Sequence, residues 1–174
     1  FGRTQVVFSA ADHVLPGLGE KMPNGVILGA RGAYGLMSPK SALNDWWWEL
    51  YSKAYNTYPV QAPYRMVQSL LGLKLAVEKA MAANGGKKPT GEQLAAALTG
   101  LEWDSPAGRI RMALGDGHQA IQDTAIGRTR YDAAKKMVVL DDIQRFPADC
   151  VNPPANMKSE DWIRAGFPGA KGCP

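Results

Sequence analysis

The densest run of residues that could do chemistry is Gly29-Ala-Arg-Gly32-Ala-Tyr-Gly35, three glycines at regular spacing directly after the apolar stretch Val26-Ile27-Leu28. Glycines so placed let a backbone approach a pyrophosphate, provided that a helix N-terminus follows to face the anion. Here Gly35 leads into Leu36-Met37-Ser38-Pro39, so no helix begins where phosphates would sit. The two histidines, His13 and His118, have neither a G-x-S-x-G serine nor a cysteine nearby to activate. His118 follows Gly115-Asp116-Gly117 and reads as a turn residue, whereas His13 stands beside Asp12 after an apolar run, where ligand loops occur in α/β sheets. Trp46, Trp47 and Trp48 would point about 100° apart on a helix and cannot form one flat platform. Four-cysteine or Cys/His metal spacing is absent. These residues predict no catalytic group, no metal site and no cofactor.

The elements that must position any site follow from periodicity. Val6 to Ser9 and Gly25 to Leu28 read as short buried strands, the second followed by a loop from Gly29 to Lys40. Trp47, Leu50, Tyr51, Ala54, Tyr55 and Tyr58 recur at a period of 3.6, which predicts a helix with that face inward, capped by Asn44 or Ser41 and ended by Pro59. A second helix is expected from about Pro63 to Ala83, with Met66, Leu70, Leu73, Val77, Ala80 and Met81 inward and Lys74–Glu78 as an exposed pair. A third starts at the capping box Thr90-Gly-Glu-Gln93 and turns Leu94, Ala97 and Leu98 inward. The period then becomes two. Arg109 to Met112, Gln119 to Tyr131 and Met137 to Ile143 read as extended segments, the first two separated by a turn at Gly115 to Gly117. The order predicts an α/β protein with a strand-rich appendage.

Bulk composition narrows the function classes. With 174 residues, 45% hydrophobic and 21% charged, the chain has the make-up of one ordinary globular domain. The net charge of +4 is mild and no Lys/Arg run exceeds two residues, which argues against nucleic acid as a partner. No apolar run approaches the ~20 residues that span a bilayer. The opening Phe1-Gly2-Arg3-Thr4 runs almost directly into a strand, as though the chain were cut from something longer. The only cysteines, Cys150 and Cys173, lie in a Pro- and Gly-rich tail with little core of its own. They could be free thiols, but such a tail gains from a covalent tie. We expect a disulfide between them, with the Trp162 segment packed beneath the loop, and hence an oxidising compartment.

Two families resemble parts of this pattern. Gly29 to Gly35, with Tyr131-Asp-Ala-Ala-Lys135 as a Y-x-x-x-K, is similar to extended short-chain dehydrogenases that use NAD(P), but no serine occurs between Ser105 and Ser159 to complete their triad. Far more of the chain resembles the type I periplasmic binding proteins of ABC importers, the leucine/isoleucine/valine-binding kind. The matching stretches are Gly19-Glu-Lys-Met-Pro-Asn-Gly25-Val-Ile-Leu28, Asn44 to Pro59, Ala62-Pro-Tyr-Arg-Met-Val-Gln68, Ala76 to Ala80, Glu92 to Leu98, Trp103-Asp-Ser-Pro-Ala-Gly108 and Asp116-Gly-His-Gln119. They span roughly residues 6 to 150 in the family's order.

This resemblance implies a C-terminal half of a protein with two Rossmann-like lobes and hinge crossovers. Residues 1–58 would be part of the second lobe, 59–123 a segment returning to the first, and 124–174 a crossover back with a tail. It implies no enzyme but a periplasmic binding component that captures a branched-chain or related amino acid, or a small carboxylate, and delivers it to an ABC permease. An aromatic or phenylpropanoid carboxylate, or a sensory ectodomain of the same fold, is the alternative. The expected ligand contacts are Phe8, Ser9 and Asp12 after the first strand, Tyr34 after the second, and Tyr64 at the hinge end of its helix. The missing N-terminal half would supply the remaining contacts.

Overall fold

The structure, a computed structural model, describes residues 4–30, 32–169 and 173. Along the chain run β1 (Val7–Phe8), α1 (Leu15–Leu18), β2 (Ile27–Ala30), α2 (Ala42–Tyr55), α3 (Gln61–Ala83), α4 (Gly91–Leu98), β3 (Glu102–Ser105), β4 (Gly108–Leu114), β5 (Gln119–Gln122), β6 (Thr124–Asp132), β7 (Met137–Phe146), α5 (Ala148–Val151) and α6 (Ser159–Arg164). Among the described residues the strands form two sheets. The first has the order β1-β2-β6-β7, with β1 parallel to β2 and the other pairs antiparallel. The second is the antiparallel meander β3-β4-β5.

Each sheet has its own core. Leu15, Met22, Val26, Leu28, Ala33, Met37, Ala125 and Val138 pack together against the first. In the second, β4 alternates inward and outward, and Ile110 and Met112 join Trp103 beneath α3. Between the two lies a small aromatic cluster, Tyr34, Tyr64 and Ala107 with Trp47 against it. The chain passes between the sheets at Asn56–Val60, which leads into α3, and again at the single residue Asp123 between β5 and β6.

Local signals act as their chemistry requires. Ser41 caps α2 by accepting a hydrogen bond from the Asn44 amide at 3.1 Å, and Asn56 ends the helix in the left-handed conformation. Both halves of the Thr90–Gln93 capping box form. Lys74 and Glu78 pair at 2.6 Å on an exposed face. The glycine loop after β2 runs into one 3-10 turn, Gly35–Met37, rather than a helix.

Three expectations about burial are corrected. The first strand is only two residues long and exposed, because β1 is the edge of its sheet. On α2, Trp47 and Tyr51 are half-buried but Leu50, Ala54 and Tyr55 are exposed. On α3, Met66, Leu70 and Leu73 are exposed, and the buried positions are Tyr64, Val67, Gly72, Ala76 and Ala80. The reason is close approach. A Cβ on Gly72 would lie 2.5 Å from Cζ2 of Trp103, so only the small-residue face of α3 can reach the sheet and α4.

The tail is tied down as its composition suggested. Cys150 and Cys173 form a disulfide. Trp162 is buried inside the loop, where its indole N–H donates to the Pro168 carbonyl at 3.0 Å and its ring meets Phe167 edge-on.

Candidate functional site

A cavity of about 670 Å³ opens where the two sheets meet, bordered by Tyr34, the first turns of α3, strand β5 and the start of the tail. Its polar wall is a relay of side-chain amides. Gln68 Nε2 donates to Gln122 Oε1 at 3.0 Å, and Gln122 Nε2 donates to the Tyr34 hydroxyl at 2.8 Å. The relay fixes both glutamines, because each amide is oriented by the next. Gly32 leaves the room for it, since a Cβ there would lie 1.7 Å from Gln122 Nε2 and 2.4 Å from Cζ of Tyr34.

Two features of this wall stand out chemically. Gln68 Oε1 is buried without a partner among the described residues, and a buried acceptor of that kind gains from a donor. The Arg65 guanidinium stands over the Tyr34 ring, its Cζ 5.7 Å from the centroid, where the ring's negative face holds the cation. Arg65 and Gln68 are three residues apart on α3 and therefore share a face. The cavity thus presents a cation, with the buried Tyr34 ring and the unpartnered Gln68 amide oxygen directly behind it.

The five residues expected to contact ligand fall in different places. Tyr34 is buried and lines the cavity. Tyr64 lies behind it, with ring centroids 5.9 Å apart. Its hydroxyl donates to Asn44 Oδ1 and lies 3.1 Å from Ser38 Oγ, whose own proton goes to the Gly35 carbonyl. Burial pushes the Tyr64 hydroxyl up to about 12, against the lowering effect of Ser38. Asp12 is buried at the chain crossing, where Oδ2 accepts the Gln61 amide at the start of α3 at 2.6 Å. Burial, and secondarily the charge of Asp12, raises the Tyr58 hydroxyl well above the ordinary tyrosine range. Phe8 and Ser9 are exposed at the end of β1.

Sequence reasoning missed Arg65, Gln68, Gln122 and Thr124 as cavity residues. A signal existed for the first two, polar residues one turn apart directly after Tyr64. Gln122 and Thr124 gave none, because only the tertiary crossing at Asp123 brings them to α3.

Residues 2–135 match the family model described as periplasmic binding protein. A comparison with curated proteins finds no match. Among solved structures, an ABC-type branched-chain amino acid transporter from Rhodopseudomonas palustris is 26% identical, with a TM-score of 0.63 over 83% of this chain and 37% of that one. A solute-binding protein of an ABC transporter from R. palustris, in complex with 4-hydroxybenzoate, is 18% identical with a TM-score of 0.62, covering 84% of this chain and 38% of that one. A leucine-binding protein from Thermotoga maritima is 15% identical with a TM-score of 0.51, covering 68% and 30%. The chain therefore spans less than two-fifths of the length of these structures. Its mixed α/β arrangement is part of the type I periplasmic binding protein fold. The chain belongs to the periplasmic binding protein family.

Proposed function

We propose that the whole protein captures a small carboxylate, an amino acid or an aromatic acid, between two lobes in the periplasm, and passes it unchanged to an ABC permease. The observation that carries this reading is Arg65 held over Tyr34 beside the buried, unpartnered acceptor Gln68 Oε1. A ligand carboxylate would take the guanidinium, and a small shift of the Gln68 side chain would bring its unpartnered oxygen to the ligand's ammonium or hydroxyl. Such a site binds by replacing hydration with fixed hydrogen bonds in a cavity that lobe closure shuts.

In this reading residues 1–58 and 124–174 belong to one lobe and 59–123 to the other, with the cavity at their seam. Tyr34 is the ligand contact, and Phe8 and Ser9 are contacts that closure completes. Tyr64 and Asp12 hold the seam in shape. The exposed stripe Met66, Leu70 and Leu73 on α3 is the surface on which the rest of its lobe packs. That assignment is supported by the share of the related structures that this chain leaves unmatched.

Calorimetric titration of the whole protein with L-leucine, L-phenylalanine, benzoate and 4-hydroxybenzoate tests the reading. At least one should bind, and Arg65→Ala should weaken it by about tenfold to about a hundredfold, as expected for a lost charged hydrogen bond. No heat with any of the four would defeat the proposal.

A further inference from the structure

The tail enters the cavity in a way that the family match does not cover, since that match ends at residue 135. Val151 and Asn152, the last residue of α5 and the one after it, border the same cavity as Tyr34 and Arg65. Val151 is 38% exposed and apolar, and shares the lining with the polar Arg65, Gln68, Gln122 and Thr124 and with the apolar Ala120 and Ile121.

A helix of a single turn does not hold itself in water, because nucleation costs more than one hydrogen bond returns. This one is held from outside at three points. The Ala148 amide donates to Asp123 Oδ1 at 2.9 Å, on the residue that joins the two sheets. Asp149 pairs with Arg111 of β4, so the tail, which leaves the first sheet at β7, is fastened to the second. Cys150 is bonded to Cys173. The covalent tie sits one residue from Val151, with the Trp162 cluster filling the loop it closes.

We propose that the disulfide-closed tail is a wall of the ligand cavity, and that Val151 sets how long a ligand the cavity accepts. The proposal rests on the carboxylate-binding reading above and deepens it. With the carboxylate on Arg65, the ligand's far end extends toward α5, and a bulkier wall shortens the space. The tether decides whether that wall yields. A long acid therefore binds better when the tail is loosened and worse when Val151 is enlarged.

The test titrates the whole oxidised protein with pairs of short and long probes, L-alanine and L-phenylalanine, benzoate and 4-hydroxycinnamate. Val151→Trp should lower the affinity for the longer probe by about tenfold or more, and Val151→Ala should shift preference toward it, since even one methylene in a pocket is worth about tenfold to about two hundredfold. Cys150→Ala combined with Cys173→Ala should shift preference in the same direction as Val151→Ala. Val151 is half-exposed, so thermal melting of its variants should stay close to that of the parent, and their reading stands even if the cysteine variant does not fold. Unchanged affinities for every bound probe in Val151→Trp would overturn the proposal while leaving the carboxylate reading intact. Failure of every probe to bind the unmodified protein would remove both.

Discussion

Tyr64 joins the seam chemically as well as sterically. Its hydroxyl is the partner of Asn44 Oδ1, on a side chain that is itself buried on α2. Tyr64→Phe keeps the ring and leaves that acceptor unpaired, so it should cost about 1–3 kcal/mol, the penalty of an unsatisfied buried group. The same burial makes stability depend on alkali. The unfolded chain releases a tyrosine proton near pH 10, whereas folded Tyr64 holds it to about 12. A raised pKa contributes stability that is fully present below the unfolded value and is lost as pH rises through the folded one. Tyr58 acts in the same direction. Urea midpoints should therefore fall between about pH 10 and about pH 12, and fall less steeply in Tyr64→Phe. A flat profile across that window would show that neither hydroxyl is buried as described.

Helix α3 illustrates what an amphipathic pattern does and does not reveal. Its existence and approximate bounds were legible from Pro63, the apolar repeat and Asn84-Gly85-Gly86. Its inward face was not, because Met66, Leu70 and Leu73 outweigh Gly72, Ala76 and Ala80 on any hydrophobicity count. The packing partner reverses that preference. Trp103 lies against the helix and donates its indole N–H to the Gln68 carbonyl at 3.0 Å, which demands small residues below it. Gly72→Ala should therefore destabilise the protein by about 1–3 kcal/mol through overpacking, although alanine is better by about 1 kcal/mol in an exposed helix. Chemical denaturation decides the sign. The same tryptophan links core to site, since Gln68 is both its acceptor and the start of the amide relay.

The two sheets differ in how far along the chain their partners lie. The α/β class, the capped helices and the tethered tail were all legible, because each rests on local signals at Ser41, Thr90 and the two cysteines. The pairing of β2 with β6 was not, and with it went the cavity, whose polar wall depends on Gln122 reaching Tyr34 across 88 residues. That disparity has a consequence in time. The second sheet, α3 and α4 draw on one continuous segment, Gln61–Gln122, whereas the first needs contacts such as Val26 with Thr129, 103 residues apart. Loop closure must precede those contacts, so they form late. During refolding, pulsed hydrogen exchange should protect amides of α3 and β4 before those of β2 and β6. A polypeptide halted on the ribosome before β6 emerges would carry β2 without its antiparallel neighbour, a strand left waiting for half the chain to be made.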